Sequence, residues 1–327
     1  MGITTKDLAE LCGVSRTTIH RALHNTGRIN PETKELILKT ARKYGYRTDL
    51  LARGLVKGQT YYIGVVVMDV DNRYFSQMLN AIVAEAKKNS YFVNITLHEK
   101  NKEDEKEQLC RLVDYRVDGI ILSSINKGEE YKKFLDSLNK PIVTIDNKIA
   151  DGIPFVGIDG KKAVAEGTKK IIEKGYEKIV FVCPPLADKD YENVYVHEMR
   201  AEGFKETMAE YPHIQASLID SWNYFDLSFH ELDTKKKTAF FCTGDMIALD
   251  LIQNLKLRGK TVVQDYGIMG FDNIDFLKYV SPKLWTINNA VTEVATSAVS
   301  LLFDIMNNKT RETNMILESV VVEGETL

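Results

Sequence analysis

Arg16, Thr17, His20 and Arg21 share one side of a stretch whose other side is Ile19, Ala22 and Leu23, the periodicity of a short amphipathic helix. Guanidinium, imidazole and hydroxyl groups so placed can donate to base edges and phosphates, and the major groove admits a helix of this width. A second polar set gathers where apolar runs end: Asp69 to Phe75, Asp146-Asn147, Thr243-Gly244-Asp245 and Phe271-Asp272-Asn273. Carboxylates and amides suit hydroxyl-rich ligands, and an aromatic face covers the C–H side of a sugar ring. Trp222 follows an apolar run directly and can supply that face. Catalytic patterns are missing: there is no G-x-G-x-x-G after a strand, no P-loop, no H-E-x-x-H and no G-x-S-x-G, and the six histidines form no evident ligand set. An enzyme, a metal site and a cofactor are therefore not expected.

The elements around the first set are short. Thr4 and Asp7 stand three apart as in a capping box, and Leu8, Ala9, Leu11 and Cys12 then supply an apolar face. Gly13 breaks this helix, Val14 offers an anchor and Ser15 caps the next. Asn30-Pro31 starts a third, closing at Tyr44-Gly45 and turning Leu36, Ile37, Thr40, Ala41 and Tyr44 inward. Two short helices joined by a glycine turn make a helix-turn-helix. The alternative, a helical cap or dimerisation module, gives no reason for the long polar side chains to share one face.

Charge is distributed in the same sense. The net charge of −3 divides into 11 Lys/Arg against 5 Asp/Glu in residues 1–60, or +6, and 32 against 41, or −9, in the remainder. A basic head facing polyphosphate releases counterions, whereas an acidic body does not. At 327 residues, with 44% hydrophobic and 27% charged residues, the chain reads as two or three globular domains.

From Tyr62 onward short β-branched runs alternate with helical stretches, the pattern of repeated βα units. Strands are predicted at Tyr62–Met68, Phe92–Leu97, Gly119–Ser123 and Pro141–Asp146, then at Lys178–Cys183, Ala216–Asp220, Ala239–Thr243 and Tyr266–Phe271. Two parallel sheets imply two lobes, with a ligand between them beyond the carboxyl ends of the strands.

The run Leu8-Ala9-Glu10-Leu11-Cys12-Gly13-Val14-Ser15-Arg16-Thr17-Thr18-Ile19-His20-Arg21-Ala22-Leu23 resembles the head of the LacI/GalR family, as do Tyr44-Gly45-Tyr46 and Leu51-Ala52-Arg53-Gly54-Leu55. The resemblance covers nearly the whole chain. It implies a three-helix, lambda-repressor-like helix-turn-helix domain over residues 1–47 and a hinge helix and linker over 48–60. A type I periplasmic-binding-protein-like core of two Rossmann-like lobes then spans 61–327, the first lobe holding about 61–160 and 290–312, the second about 161–289 and 313–327.

On this reading Thr5, Ser15, Arg16, Thr17, Thr18, His20, Arg21 and His24 face duplex operator DNA, with Asn25, Arg28, Tyr44, Ala52, Arg53 and Leu55. Leu55 would wedge between base pairs in the minor groove, kinking the duplex. The family's usual proline before the hinge is replaced by Arg47-Thr48, and Gly54 costs about 1 kcal/mol in a helix interior, so residues 49–57 are predicted to order only when two hinges pair on DNA. Effector contacts map onto Asp69, Asn72, Tyr74, Phe75, Arg200, Trp222 and Asp272, with Asn289 where the family commonly has glutamine, and with Asp146 and Asp245 as ligand contacts or helix caps. Arg200 lies in an Arg-x-x-Gly-Phe motif completed by Gly203 and Phe204.

The expected protein is thus a homodimeric transcriptional regulator, a repressor of a carbohydrate-utilisation operon, binding a pseudo-palindromic operator under control of a sugar. A purine- or nucleoside-responsive co-repressor type is the alternative. The segment Ala187–Met199 is longer than usual, which suits a different or larger effector, and Trp285 is expected in the core. Cys12, Cys110, Cys183 and Cys242 show no disulfide framework, no basic-then-apolar leader opens the chain, and no apolar run is long enough to span a bilayer, so a cytoplasmic location without membrane contact is expected. The absent leader and the present head also argue against a transport solute-binding protein.

Overall fold

Thr4 begins the first helix as its sequence predicts: its hydroxyl accepts from the Asp7 amide at 3.2 Å, and the Asp7 carboxylate accepts from the Thr4 amide at 2.8 Å. Those bonds hold the Asp7 carboxyl below the usual carboxylate range. The computed structural model describes residues 3–46, 58–232, 235–309 and 314–327. The chain forms two compact units, Met1–Thr60 and Tyr61–Leu327.

The first unit holds α1 (Thr5–Cys12), α2 (Arg16–His24) and α3 (Pro31–Lys43). Gly13 ends α1 at φ 64°, a left-handed conformation that glycine adopts without strain. Ser15 caps α2, accepting from the Thr18 amide at 3.1 Å, and Asn30 caps α3, accepting from the Glu32 amide at 2.9 Å. The core is Leu8, Ala9, Ile19, Ala22, Ile37 and Ala41. Full burial of Leu8, Ile19 and Ile37 contributes about 2 kcal/mol each, enough to hold three short helices together. Contrary to the sequence expectation, Leu11, Leu36 and Tyr44 lie about half exposed. The bundle is too small to enclose every apolar residue on its helix faces. The hinge, with Ala52, Arg53 and Leu55, lies outside the described residues.

In the second unit the order is β1 (Tyr62–Val67), α4 (Arg73–Lys88), β2 (Phe92–Leu97), α5 (Lys102–Asp114), β3 (Gly119–Leu122), α6 (Glu129–Ser137), β4 (Ile142–Ile145) and β5 (Phe155–Ile158). There follow α7 (Gly160–Glu173), β6 (Lys178–Cys183), a 3-10 turn at Leu186–Asp190, α8 (Tyr195–Ala209), β7 (Gln215–Asp220), α9 (Tyr224–Glu231), β8 (Thr238–Cys242), α10 (Asp245–Leu257) and β9 (Gly267–Met269). A second 3-10 turn at Asp275–Tyr279, β10 (Thr286–Asn288), α11 (Val291–Met306), β11 (Asn314–Leu317) and β12 (Val320–Val322) complete it.

Two parallel sheets result, in strand orders β11-β5-β4-β3-β1-β2 and β7-β6-β8-β9. Strands β1, β3 and β4 are buried almost throughout, which is why they read as continuous β-branched runs rather than alternating ones. Met78, Leu79 and Ile82 of α4 and Val294, Ala298 and Leu302 of α11 cluster with Val65, Ile121 and Val143 of the sheet, while Leu109 and Leu112 of α5 and Leu135 of α6 cluster with Val66 and Leu122.

All eight sequence-read strands are present within a residue or two at each end. Strands β5, β10, β11 and β12, of three or four residues each, are too short to show a period. One assignment changes: β11 pairs with β5 in the first lobe's sheet, whereas the sequence reading placed residues 313–327 together in the second lobe. Strand β12 pairs antiparallel with β10 and does lie there.

Candidate functional site

On α2 the two roles of the polar face separate. Ser15 and Thr18 hydroxyls lie 2.9 Å apart at the cap, while Arg16, Thr17, His20 and Arg21 are exposed. His24, half-buried, tilts its ring 4.3 Å from that of His20. Thr5 meets the Tyr46 hydroxyl at 3.1 Å and Asn25 accepts from Lys34 at 2.6 Å, so both side chains have partners within the bundle. Arg28 and Tyr44 stand exposed.

In the second unit a cavity of about 410 Å³ opens at the carboxyl ends of strands from both sheets. Eight of the ten sequence-derived effector candidates line it: Asp69, Asn72, Tyr74, Phe75, Asp146, Arg200, Trp222 and Asp272. Asn72 caps α4, accepting from the Tyr74 amide at 3.0 Å, and its own amide donates to Asp69 at 2.9 Å. Asp146, just beyond β4, accepts from the Tyr74 hydroxyl and from the Ser123 hydroxyl, the latter at 2.9 Å. Burial raises its pKa despite those bonds.

Arg200 comes from α8. Gly203, one turn on, permits its placement: a Cβ there would lie 2.3 Å from the Lys161 carbonyl oxygen, so only glycine lets α8 approach α7 this closely. The Arg200 guanidinium lies 3.7 Å over the Phe271 ring, donates through Nη1 to the Thr243 carbonyl at 2.5 Å and approaches Asp272 to 3.7 Å. Its Nε is buried without a partner, a donor left for a ligand or water. Burial carries the Asp272 carboxyl up to about 7 against the opposing pull of Arg200, and carries His197 down to about 3. The site thus joins hydrogen-bonded carboxylates, hydroxyls and one guanidinium, groups that can exchange hydrogen bonds with a polar ligand.

Two expectations are corrected. Asp245 is fully buried beneath the cavity, accepting from Thr286 at 2.6 Å and from the Ile274 amide at 2.9 Å, and it ties the second lobe's loops together. Asn289 lies outside the main cavity and donates to Asp272 at 3.0 Å, orienting that carboxylate. Trp222 is at the rim, its ring covered by the Lys100 ammonium at 4.3 Å, and Trp285 is in the core.

Sequence reasoning missed Ser123 and His197, and noted Thr243 only as part of the polar run that ends its strand. Ser123 and Thr243 directly follow β3 and β8, the same signal that picked out Asp146, and His197 lies three residues before Arg200 on one face of α8. The long segment before α8 also contributes, bringing Asp188, Glu192 and Asn193 to the wall. Asn193 pins it to the first lobe, donating to the carbonyls of Asn126 at 3.1 Å and Lys148 at 2.9 Å. Among the described residues no group of three His, Cys, Asp or Glu could hold a metal, and no helix is long and apolar enough to cross a membrane.

Two family models match the chain, "Bacterial regulatory proteins, lacI family" over residues 4–49 and "Periplasmic binding protein-like domain" over residues 168–327. Catabolite control protein A of Priestia megaterium is 27% identical, with 97% of this chain and 96% of that protein covered. HTH-type transcriptional repressor PurR of Haemophilus influenzae is also 27% identical, covering 94% and 92%. Among solved structures, a periplasmic binding protein/LacI transcriptional regulator from Alkaliphilus metalliredigens complexed with D-xylulofuranose is 27% identical, with a TM-score of 0.70 over 81% of this chain and 98% of that one.

Proposed function

Because the chain belongs to the LacI family of bacterial regulatory proteins, whose members are transcriptional regulators, we propose that it is a cytoplasmic, homodimeric repressor of a carbohydrate-utilisation operon. In this reading α2 enters the major groove of operator DNA, and a sugar held between the two lobes of the second unit sets operator affinity. The observation that carries the sensing half is the cavity itself: Asp146 from one lobe and Arg200 and Asp272 from the other converge on one space. The sugar-bound relative from Alkaliphilus supports the ligand class. A purine- or nucleoside-responsive co-repressor type is the second reading, beside the similarity to the Haemophilus repressor PurR.

Dimerisation follows from the geometry of recognition. One short head makes few contacts, and two heads on a shared body double the footprint on a two-fold site. Strand β2 lies at a sheet edge with Phe92 and Ile95 exposed, close in sequence to exposed Val83 on α4, a surface a second copy can cover.

The test is selection of bound fragments from genomic DNA with the purified chain, followed by titration in rising salt with and without sugars and nucleobases. Salt-sensitive binding to a pseudo-palindrome, altered by one sugar, is the expected result. Trp222→Ala and Asp272→Ala should abolish that response while leaving DNA binding intact. A response to purines alone would favour the second reading, and no salt-sensitive affinity for any fragment would refute both.

A further inference from the structure

Charge on the cavity wall is lopsided. Five carboxylates, Asp69, Asp146, Asp188, Glu192 and Asp272, face two cations, Lys100 and Arg200. Burial lowers the pKa of both wall histidines, His98 and His197. The cations are largely committed: Arg200 to the Thr243 carbonyl and Asp272, with its Nε alone unpartnered, and Lys100 to the face of Trp222. Asp146 is balanced by two hydroxyl donors and Asp69 by the Asn72 amide. Asp188 and Glu192 are different. Both are half-buried, and neither side chain forms an ion pair or accepts a hydrogen bond among the described residues.

Their position adds to the argument. Both belong to the long segment before α8, which Asn193 holds against the first lobe through three hydrogen bonds: two from its side chain and one, at 2.8 Å, from its amide to the Ile125 carbonyl. Two carboxylates are thus held at the wall with free acceptor oxygens. Such groups receive sugar hydroxyls readily and repel a dianion, and between protein walls that repulsion is screened far less than in bulk water.

We propose that the effector is an unphosphorylated sugar, and that Asp188 and Glu192 are the residues that reject its phosphate esters. This rests on the sugar-sensing reading above and narrows it. Of the two wall cations only the Arg200 Nε lacks a partner, and the two carboxylates without partners on the wall carry the wrong sign for a phosphate.

The experiment is calorimetric titration of the full chain with D-glucose, D-fructose, D-xylose, D-ribose, maltose and cellobiose, and in parallel with glucose 6-phosphate, fructose 6-phosphate and ribose 5-phosphate. At least one neutral sugar should bind, with its phosphate ester weaker by on the order of tenfold or more. In the double variant Asp188→Asn, Glu192→Gln the ratio of the two affinities should move toward one by about the same factor. A phosphate ester that binds as tightly as its parent sugar overturns the proposal. A ratio unchanged in a double variant that melts as a folded protein overturns the assignment to these residues. Binding of no sugar of either kind refutes the sugar-sensing reading itself, a result that cannot be mistaken for the other two.

Discussion

Arg73 of one lobe grips Asp275 of the other through two parallel hydrogen bonds of 2.7 Å, Nε to Oδ1 and Nη2 to Oδ2. The two residues are 202 positions apart in the chain. Gln77, one turn along α4, accepts from the Asp275 amide at 2.9 Å, so the clasp engages backbone as well as side chain. The pairing raises the Arg73 pKa and lowers that of Asp275. The clasp joins the lobes on the α4 side, and Asn193 joins them through the segment before α8. The lobes are thus joined at two places, by the Arg73–Asp275 clasp and by Asn193.

Breaking the clasp should loosen the closed arrangement. Both side chains are about two-fifths exposed, so water and salt weaken the pair. Arg73→Ala should lower effector affinity about two- to fivefold, and the difference should shrink as salt is raised. An affinity unchanged at low salt would mean that the clasp does not bias the lobes.

Asp272 makes stability depend on pH. Its folded pKa of about 7 lies above the unfolded value of about 4, so the folded chain keeps a proton that the unfolded chain releases. The stability from this group is complete below about pH 4 and is lost as pH rises through about 7. His197 acts in the opposite sense. Its folded pKa of about 3 lies below the unfolded value of about 6.5, so its contribution is present above that value and is lost on acidification. The two effects offset each other in the native protein. The melting temperature of the native chain minus that of Asp272→Asn should fall between about pH 5 and pH 7.5, and a difference that grew with pH would contradict the raised carboxyl.

Glu105 is fully buried behind the cavity wall and accepts from the Ser124 hydroxyl at 2.7 Å, the Ile125 amide at 2.8 Å, the Asn126 amide group at 3.1 Å and the Tyr131 hydroxyl. Glu105→Ala removes an acceptor shared by four donors, of which Ser124 and Asn126 keep the Asn126 and Lys102 carbonyls while the Ile125 amide and Tyr131 hydroxyl are stranded. It should cost about 3 kcal/mol in urea unfolding. Ser124 and Ile125 line the cavity, so the same substitution should weaken effector binding. A loss under about 1 kcal/mol would show that water replaces the carboxylate at little cost.

On DNA, Arg16 and Arg21 are the exposed guanidinium groups of α2. Alanine at a position that reads guanine should cost about 1–3 kcal/mol and relax preference at one base pair. Unchanged selectivity with weaker binding to every sequence would assign that arginine to a phosphate.

How much of this was legible in the sequence depends on range. The helix-turn-helix rests on local rules, namely the caps at Thr4, Ser15 and Asn30, the turn at Gly13 and the polar face of α2, all written within a few residues of where they act. The parallel sheets were legible because buried strands must be continuous apolar runs. Asp69, Asp146 and Asp272 were found because each lies just beyond a strand, and Arg200 because its motif also carries Gly203.

Local pattern could not separate Asp272, which faces the cavity, from Asp245, which is buried under it, since both follow strands of the same sheet. Nor could it show that Asn289 serves Asp272, that Lys100 lies on Trp222, or that Arg73 meets Asp275. Those pairings exist only once the chain has passed back and forth between the lobes and brought distant strand ends together. Periodicity determines which face of an element is apolar, whereas the partner across a cleft is decided by packing of the whole.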